Sequence, residues 1–371
     1  MEIGVYDFGE IFPDPASGHI ITAEERLRNL VEQAQLADQV GLDVFGLGEH
    51  HRSDFQISSP AVVLASMAER TERLRLTSAV TILSSDDPVR VFQDFATLDL
   101  LSGGRAEIMA GRGSFIESFP LFGYGLEDYD ELFHEKIQLL LKIRDREFIT
   151  WDGKHRPPLV QQGIYPRPKQ DRLPIWIAVG GNPGSAVRAG VLGTPMAVAI
   201  IGGQPERFVQ LVDLYRASGE RTGHDASTLA VSINSHAFLA DTSQEAADTF
   251  YPHYAEVMTK LGEERGWPPM TRLQFDAGLA LRGHLLVGSP QQVIEKILYQ
   301  CELFGHDRFL AQMSVGAIPH KPMMRAVELL GSQVAPQIRK AIESRKSHAT
   351  EAGQETLPGI VRPDGDHASN D

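Results

Sequence analysis

The feature that most constrains this chain is a repeated change of hydrophobic period. Short apolar runs bounded by glycine, proline and aspartate alternate with longer segments whose apolar residues recur every three or four positions. Strands are expected at residues 2–8, 43–47, 74–83, 105–110, 174–179, 196–201, 229–239 and 308–313. Between them lie helix-like segments at about 22–40, 60–70, 88–101, 128–146, 183–192, 205–218, 291–304 and 322–344. The punctuation supports this division. Thr22 with Glu25 predicts a capping box, Gly41 a helix stop, and Pro60, Pro88 and Pro183 helix starts.

Strand–helix alternation implies parallel βαβ units, and eight of them close into an α/β (β/α)8 TIM barrel of roughly 250 residues before insertions. The chain has 371 residues and 42% hydrophobic content, enough for one large domain over 1–346. Two insertions interrupt the repeat. The first is a hairpin at 148–151 and 159–162 flanking Asp152-Gly153, before the fifth strand; the second is a polar helical stretch at about 243–281, after the seventh. Residues 347–371 are rich in glycine, proline and acid and are expected to form a tail.

Composition narrows the function. A formal charge of −14 argues against general affinity for nucleic acid or anionic membrane, and no apolar run approaches the roughly 18 residues of a membrane span. Cys301 is the only cysteine, which excludes an internal disulfide and a cysteine-rich metal site held by this chain alone. With no apolar signal segment at the start, a cytoplasmic protein acting on a small molecule is expected.

In such barrels the chemistry lies at the C-terminal ends of the strands. The second strand ends in Gly48-Glu49-His50-His51-Arg52. Successive strand side chains point to opposite faces, so Glu49 and His51 share a side and His50 takes the other. The fifth strand runs through Gly180-Gly181-Asn182-Pro183-Gly184-Ser185 into a helix N-terminus, where free N–H groups and the helix dipole favour an anion, and Arg112 adds a fixed positive charge. Phe8, Phe115 and Trp176, at or near strand ends, are candidates to line a pocket, although aromatic residues in barrel strands more often pack a core. Neither a Rossmann nor a P-loop signature occurs.

Taken together, Gly48-Glu49-His50-His51, the strand 77–83 followed by Asp87-Pro88-Val89-Arg90, and Leu100-Leu101-Ser102-Gly103-Gly104-Arg105 leading to Gly111-Arg112-Gly113 resemble the bacterial luciferase-like flavin monooxygenases. The resemblance covers roughly 1–345 and is strongest before Gly125. It implies the same barrel, a catalytic His50 with Glu49 beside it, and a non-prolyl cis peptide at Ala79-Val80 against the flavin. It also implies a phosphate site at Arg112, Gly181, Asn182 and Ser185. The cofactor implied is reduced FMN from a separate flavin reductase, reacting with molecular oxygen, with a homodimer as the assembly. The luciferases themselves carry an acidic residue at the position of Gly181, serine at that of Asn182 and a reactive cysteine at that of Gly111, so light emission and aldehyde specificity are not implied.

Three other readings compete: an F420-dependent hydride-transfer enzyme of the same fold, a non-catalytic flavin-binding protein, and a metal-dependent hydrolase using Glu49, His51 and His236. The last lacks HxH or HExxH spacing, so no metal site is expected.

Overall fold

A computed structural model describes residues 1–351 of the chain. Eight strands form its centre: β1 (Glu2–Asp7), β2 (Val44–Leu47), β3 (Arg75–Ser78), β4 (Ala106–Gly111), β5 (Ile175–Val179), β6 (Met196–Ile200), β7 (Val231–Leu239) and β8 (Arg308–Gln312). Each pairs in parallel with the next, and β8 returns to β1 through registers from Glu2 opposite Arg308 to Tyr6 opposite Gln312. The sheet is therefore the closed (β/α)8 barrel that the alternation implies.

The pleat divides the apolar residues between two cores. In β1, Ile3 and Val5 face outward into a large cluster beneath the surrounding helices, whereas Tyr6 faces inward. The interior cluster is small, comprising Tyr6, Val44, Ala79, Met109, Trp176, Ala197 and Leu310. Below it, at the first residue of β8, the Arg308 guanidinium makes two hydrogen bonds to Glu107, at 2.8 and 2.9 Å, and a third to Glu2. Arg308 also covers the ring of Trp176 at 4.3 Å. Trp176 is thus packing at the barrel floor, and its assignment to a substrate pocket is corrected. It is the second residue of β5, with three more strand residues between it and the C-terminal rim.

Helices α1 (Ala23–Gln39), α2 (Pro60–Ala68), α3 (Pro88–Leu101), α4 (Tyr129–Asp145), α5 (Pro183–Val191) and α6 (Val209–Arg221) follow the first six strands. The expected insertion after β7 consists of α7 (Ser243–Arg265) and α8 (Arg272–Leu279), and α9 (Pro290–Phe304) precedes β8. Thr22 caps α1 by accepting from the Glu25 N–H at 3.1 Å, without the reciprocal bond of a full capping box.

Several expectations are revised. The third strand breaks at the cis Ala79-Val80 peptide and resumes at Thr81–Ile82, which pairs with β4. The hairpin strands are Phe148–Trp151 and Leu159–Gly163, but Asp152-Gly153 is not a two-residue turn. Glu135 of α4 instead accepts the N–H groups of Lys154 and His155, holding a wider loop open. A strand missed in the sequence, Leu286–Gly288, pairs with the outer end of β7. The closing helix is divided into α10 (His320–Leu329), a π-helical turn at Leu330–Val334 where Gly331 abuts Val40, and a helix over Ala335–Glu351. It thus continues past 344, and the tail expected from 347 lies outside the described residues beyond Glu351.

The floor pair tests this architecture. Removing one partner leaves a desolvated charge, so Glu107→Ala is expected to cost about 3–5 kcal/mol in urea denaturation. Arg75→Ala removes a half-exposed partner of the same carboxylate and is expected to cost less than about 1 kcal/mol.

Candidate functional site at the strand ends

His50 is 8% exposed and enclosed by rings. Phe55 stacks on it at 4.2 Å between centroids, and Phe8 and Phe115 meet it edge-on at 4.7 and 5.1 Å. Its backbone N–H donates to Ile57 O, which fixes the main chain, while its Nδ1 is buried without a hydrogen-bond partner among the described residues. Burial, and secondarily the positive charge of His51 and Arg52, pushes this imidazole down to about 3. The ring is therefore neutral near pH 7. An imidazole in water titrates near working pH; this one, in its ring of phenylalanines, does not.

Glu49 and His51 lie on the other side, as strand alternation requires. Glu49 accepts from His51 Nε2 at 2.8 Å with one oxygen and from the Ile82 N–H at 2.9 Å with the other. Its own N–H donates to Val80 O. These bonds tie the end of β2 to both sides of the irregular segment in the third strand. A Cβ at Gly111 would lie 2.7 Å from Val80 Cγ2, so the following strand also needs a bare backbone here. Nearby, Asp86 is pushed up to about 6 by burial and then by the charge of Glu49. Lys136 of α4, whose ammonium donates to Ser84 O at 2.7 Å, is brought down to about 8 by burial.

The expected anion site takes a different form. Asn182 turns its own side chain onto the start of α5 and accepts from the N–H groups of Gly184 and Ser185 at 2.8 and 3.3 Å. The helix amides expected to face an anion are thereby occupied. Gly181 takes φ +102, and Ser185 is buried. Arg112 pairs with Asp130 and lies over the Tyr129 ring at 5.0 Å. Arg188, on α5, is held below the usual guanidinium range by burial and then by the charge of Arg112, and its Nη1 is buried without a partner among the described residues. Two guanidinium groups thus neighbour each other in this quarter, one of them paired with Asp130. Arg188 gave no sequence signal because it lies inside a helix.

Above the rings, the insertion is tied to the second loop. Arg52 donates to Glu264 of α7 at 2.6 and 3.0 Å and to Glu117 at 3.1 Å, and Lys260 reaches Asp54 at 3.0 Å. His236, inside the upper barrel, meets the Tyr254 ring of α7 edge-on at 5.6 Å. Glu49 and His51 are bonded to each other, and no metal-ligating group among the described residues unites them with His236.

A family model described as luciferase-like monooxygenase matches residues 1–307. The chain belongs to the luciferase-like monooxygenase family. An uncharacterised protein of Sinorhizobium fredii, y4vJ, is 25% identical over 85% of this chain and 93% of its own length. Among solved structures, the monooxygenase RslO1 from Streptomyces bottropensis superposes with a TM-score of 0.78 at 23% identity, covering 91% of this chain and 99% of its own. The oxygenating constituent of 3,6-diketocamphane monooxygenase from Pseudomonas putida, in complex with FMN, gives 0.73 at 20% over 91% and 98%. An F420-dependent secondary alcohol dehydrogenase gives 0.69 at 16% over 91% and 99%. This luciferase-like chain thus shares its fold with FMN-binding and F420-binding proteins alike.

Two outcomes follow from this geometry. Unfolded, His50 and His236 titrate near their ordinary value of 6.5; folded, each lies at about 3. Below about pH 6.5 the unfolded chain binds protons that these two folded residues refuse, so their contribution destabilises the protein progressively down to about pH 3. The urea midpoint should fall between pH 7 and 5, and by less in His236→Gln. Separately, Arg52→Ala should cost only about 1 kcal/mol yet speed amide exchange across 260–271 selectively, as read by hydrogen–deuterium exchange.

Proposed function

We propose that this chain is the oxygenase of a two-component system, taking reduced FMN from a separate flavin reductase and using molecular oxygen to oxidise a small organic substrate at the strand ends. The observation that carries the reading is His50, a buried, neutral imidazole with an unused Nδ1, walled by Phe8, Phe55 and Phe115. A flat aromatic cofactor fits beside such a ring because it adds a polar edge for Nδ1 without requiring a charge on the histidine. Arg112, Arg188 and Ser185, beside the positive-φ Gly181, fit its phosphate. Ala79 and Val80, just past the end of β3, would support the ring system.

When bound, reduced FMN supplies the electrons and the site at which oxygen reacts. The protein's own residues do the rest. The phenylalanine wall keeps water from the reacting atoms. His50, neutral at rest, orients the reacting groups through Nδ1 and passes a proton on only in concert with the substrate's conversion, since burial disfavours its cation. Glu49 acts through position, holding His51 and the Ile82 amide so that the backbone beside the cofactor keeps its shape.

Support for FMN over F420 comes from the His50–His51 pair and Arg112, which follow the luciferase branch, and from the FMN-bound oxygenating constituent, the second solved structure described above. Titration of the apo-protein with reduced FMN, oxidised FMN and F420 tests this choice, with reduced FMN expected to bind tightest; preference for F420 overturns it. His50→Ala is expected to retain flavin binding and lower product formation by roughly 10²–10⁴-fold in stopped-flow turnover. Unchanged turnover would instead support a flavin-binding protein without catalysis. The proposal includes a homodimer, which a monomer mass in light scattering would remove.

A further inference from the structure

A second cavity, of about 340 Å³, lies outside the barrel between α1, the loop after β1 and the loop after β8. The pleat places it there. Tyr6 points inward, so Asp7 points outward to Arg26 of α1, and Glu10 follows on that outer side. The cavity is separated from the His50 site by the main chain of this loop, where Glu10 bridges Phe55.

Two of the polar groups lining it, Glu10 and Gln33, are buried and incompletely used. Glu10 is 4% exposed; one of its oxygens accepts from the Gly316 N–H, and the other has no partner among the described residues. Gln33 is 3% exposed, lines the cavity, and its amide makes no hydrogen bond among the described residues; Asn29, one helical turn earlier, is likewise unpaired. None of these atoms is sealed from the cavity, so a ligand entering it can take up their unused bonds.

The cationic groups, by contrast, are already engaged. Arg26 donates to Asp7 at 2.5 Å, Ser314 at 2.9 Å and the Glu10 carbonyl at 3.0 Å, and His320 is bonded to Glu32 at 2.9 Å. What remains free in its depth is the Glu10 carboxyl group and two amides beside the apolar Phe12 and Ile318, with Glu25 and His19 exposed at the rim. We propose that this cavity is a second small-molecule site, for an organic primary amine with an apolar body. Its ammonium group is taken by the free Glu10 oxygen, its further polar atoms by Asn29 and Gln33, and its apolar part by Phe12 and Ile318.

A proton balance accompanies binding. Burial pushes the Glu10 carboxyl up to about 8; Asp7 on β1 and Asp54 in the second loop raise it, Arg26 on α1 lowers it, and the other titratable groups lining the cavity are Asp14, His19 and Glu25, with His320 after β8. An ammonium ion beside the carboxyl favours its charged form. At pH 7 binding therefore releases most of one proton from Glu10 to solvent.

Isothermal titration of the full chain with 2-phenylethylamine, 2-phenylethanol and 3-phenylpropionate, in two buffers of different ionisation enthalpy, tests this inference without reference to flavin. Saturable one-to-one binding of the amine is expected, with proton release and at least ~10-fold weaker binding of the isosteric alcohol. Glu10→Gln should lose at least ~10-fold in amine affinity and abolish the proton release, while reduced-FMN binding stays unchanged. No saturable amine binding, equal binding of the alcohol, or unaltered affinity in Glu10→Gln overturns the proposal. If Glu10→Gln fails to fold, Gln33→Leu decides: weakened amine binding upholds the site and unchanged binding overturns it.

Discussion

Closure of the parallel ladder is the constraint on which this protein depends, and it rests on places where backbones come too close for side chains. A Cβ at Gly4 would stand 2.3 Å from the Val44 carbonyl oxygen, and one at Gly48 would stand 2.2 Å from the Phe8 ring. With glycine at both, β1 and β2 pair tightly and the second strand ends against Phe8. Closing a sheet also removes its edges, so nearly all strand amides are satisfied within the barrel. The floor is sealed by a buried guanidinium. Arg308 is 1% exposed, and such a charge persists because Glu107 and Glu2 provide matching acceptors.

Closure also gathers the ends of distant segments into one site. Glu49 and Ile82 are far apart in sequence, yet their bond joins the end of β2 to the resumption of the third strand. The same alternation sends His51 toward Glu49 and His50 toward a wall of phenylalanines. Neighbouring histidines thereby acquire opposite roles. One is a hydrogen-bonded brace; the other is a neutral ring with a free nitrogen. Salt bridges from Arg52 and Lys260 fasten the inserted helix over this region, and because they are partly exposed they can yield without loss of the core.

Much of the architecture was legible because period and punctuation are local properties. Eight strands could be placed to within a few residues, and the order Gly48-Glu49-His50-His51 gave both the strand end and the division of its side chains. The errors arose where a partner distant in sequence decided the outcome. Asp152-Gly153 carries the signal of a tight turn, yet Glu135 captures the next two amides and widens the loop. Asn182 lies at the start of a helix that invites an anion, but its own side chain satisfies those amides. Trp176 belongs to the right strand at the wrong height, because its depth is set by strand stagger and by Arg308.

By itself, the sequence determined the closed α/β barrel, the strand end proposed to carry the site and the opposite facing of His50 and His51, since these follow from periodicities of two and 3.6 residues along a continuous chain. Tertiary structure alone decided the charge on His50, the recruitment of Phe55, Arg188 and Lys136, and the cavity between α1 and its flanking loops. Burial and the approach of oppositely placed groups depend on three-dimensional distance, which no local pattern encodes.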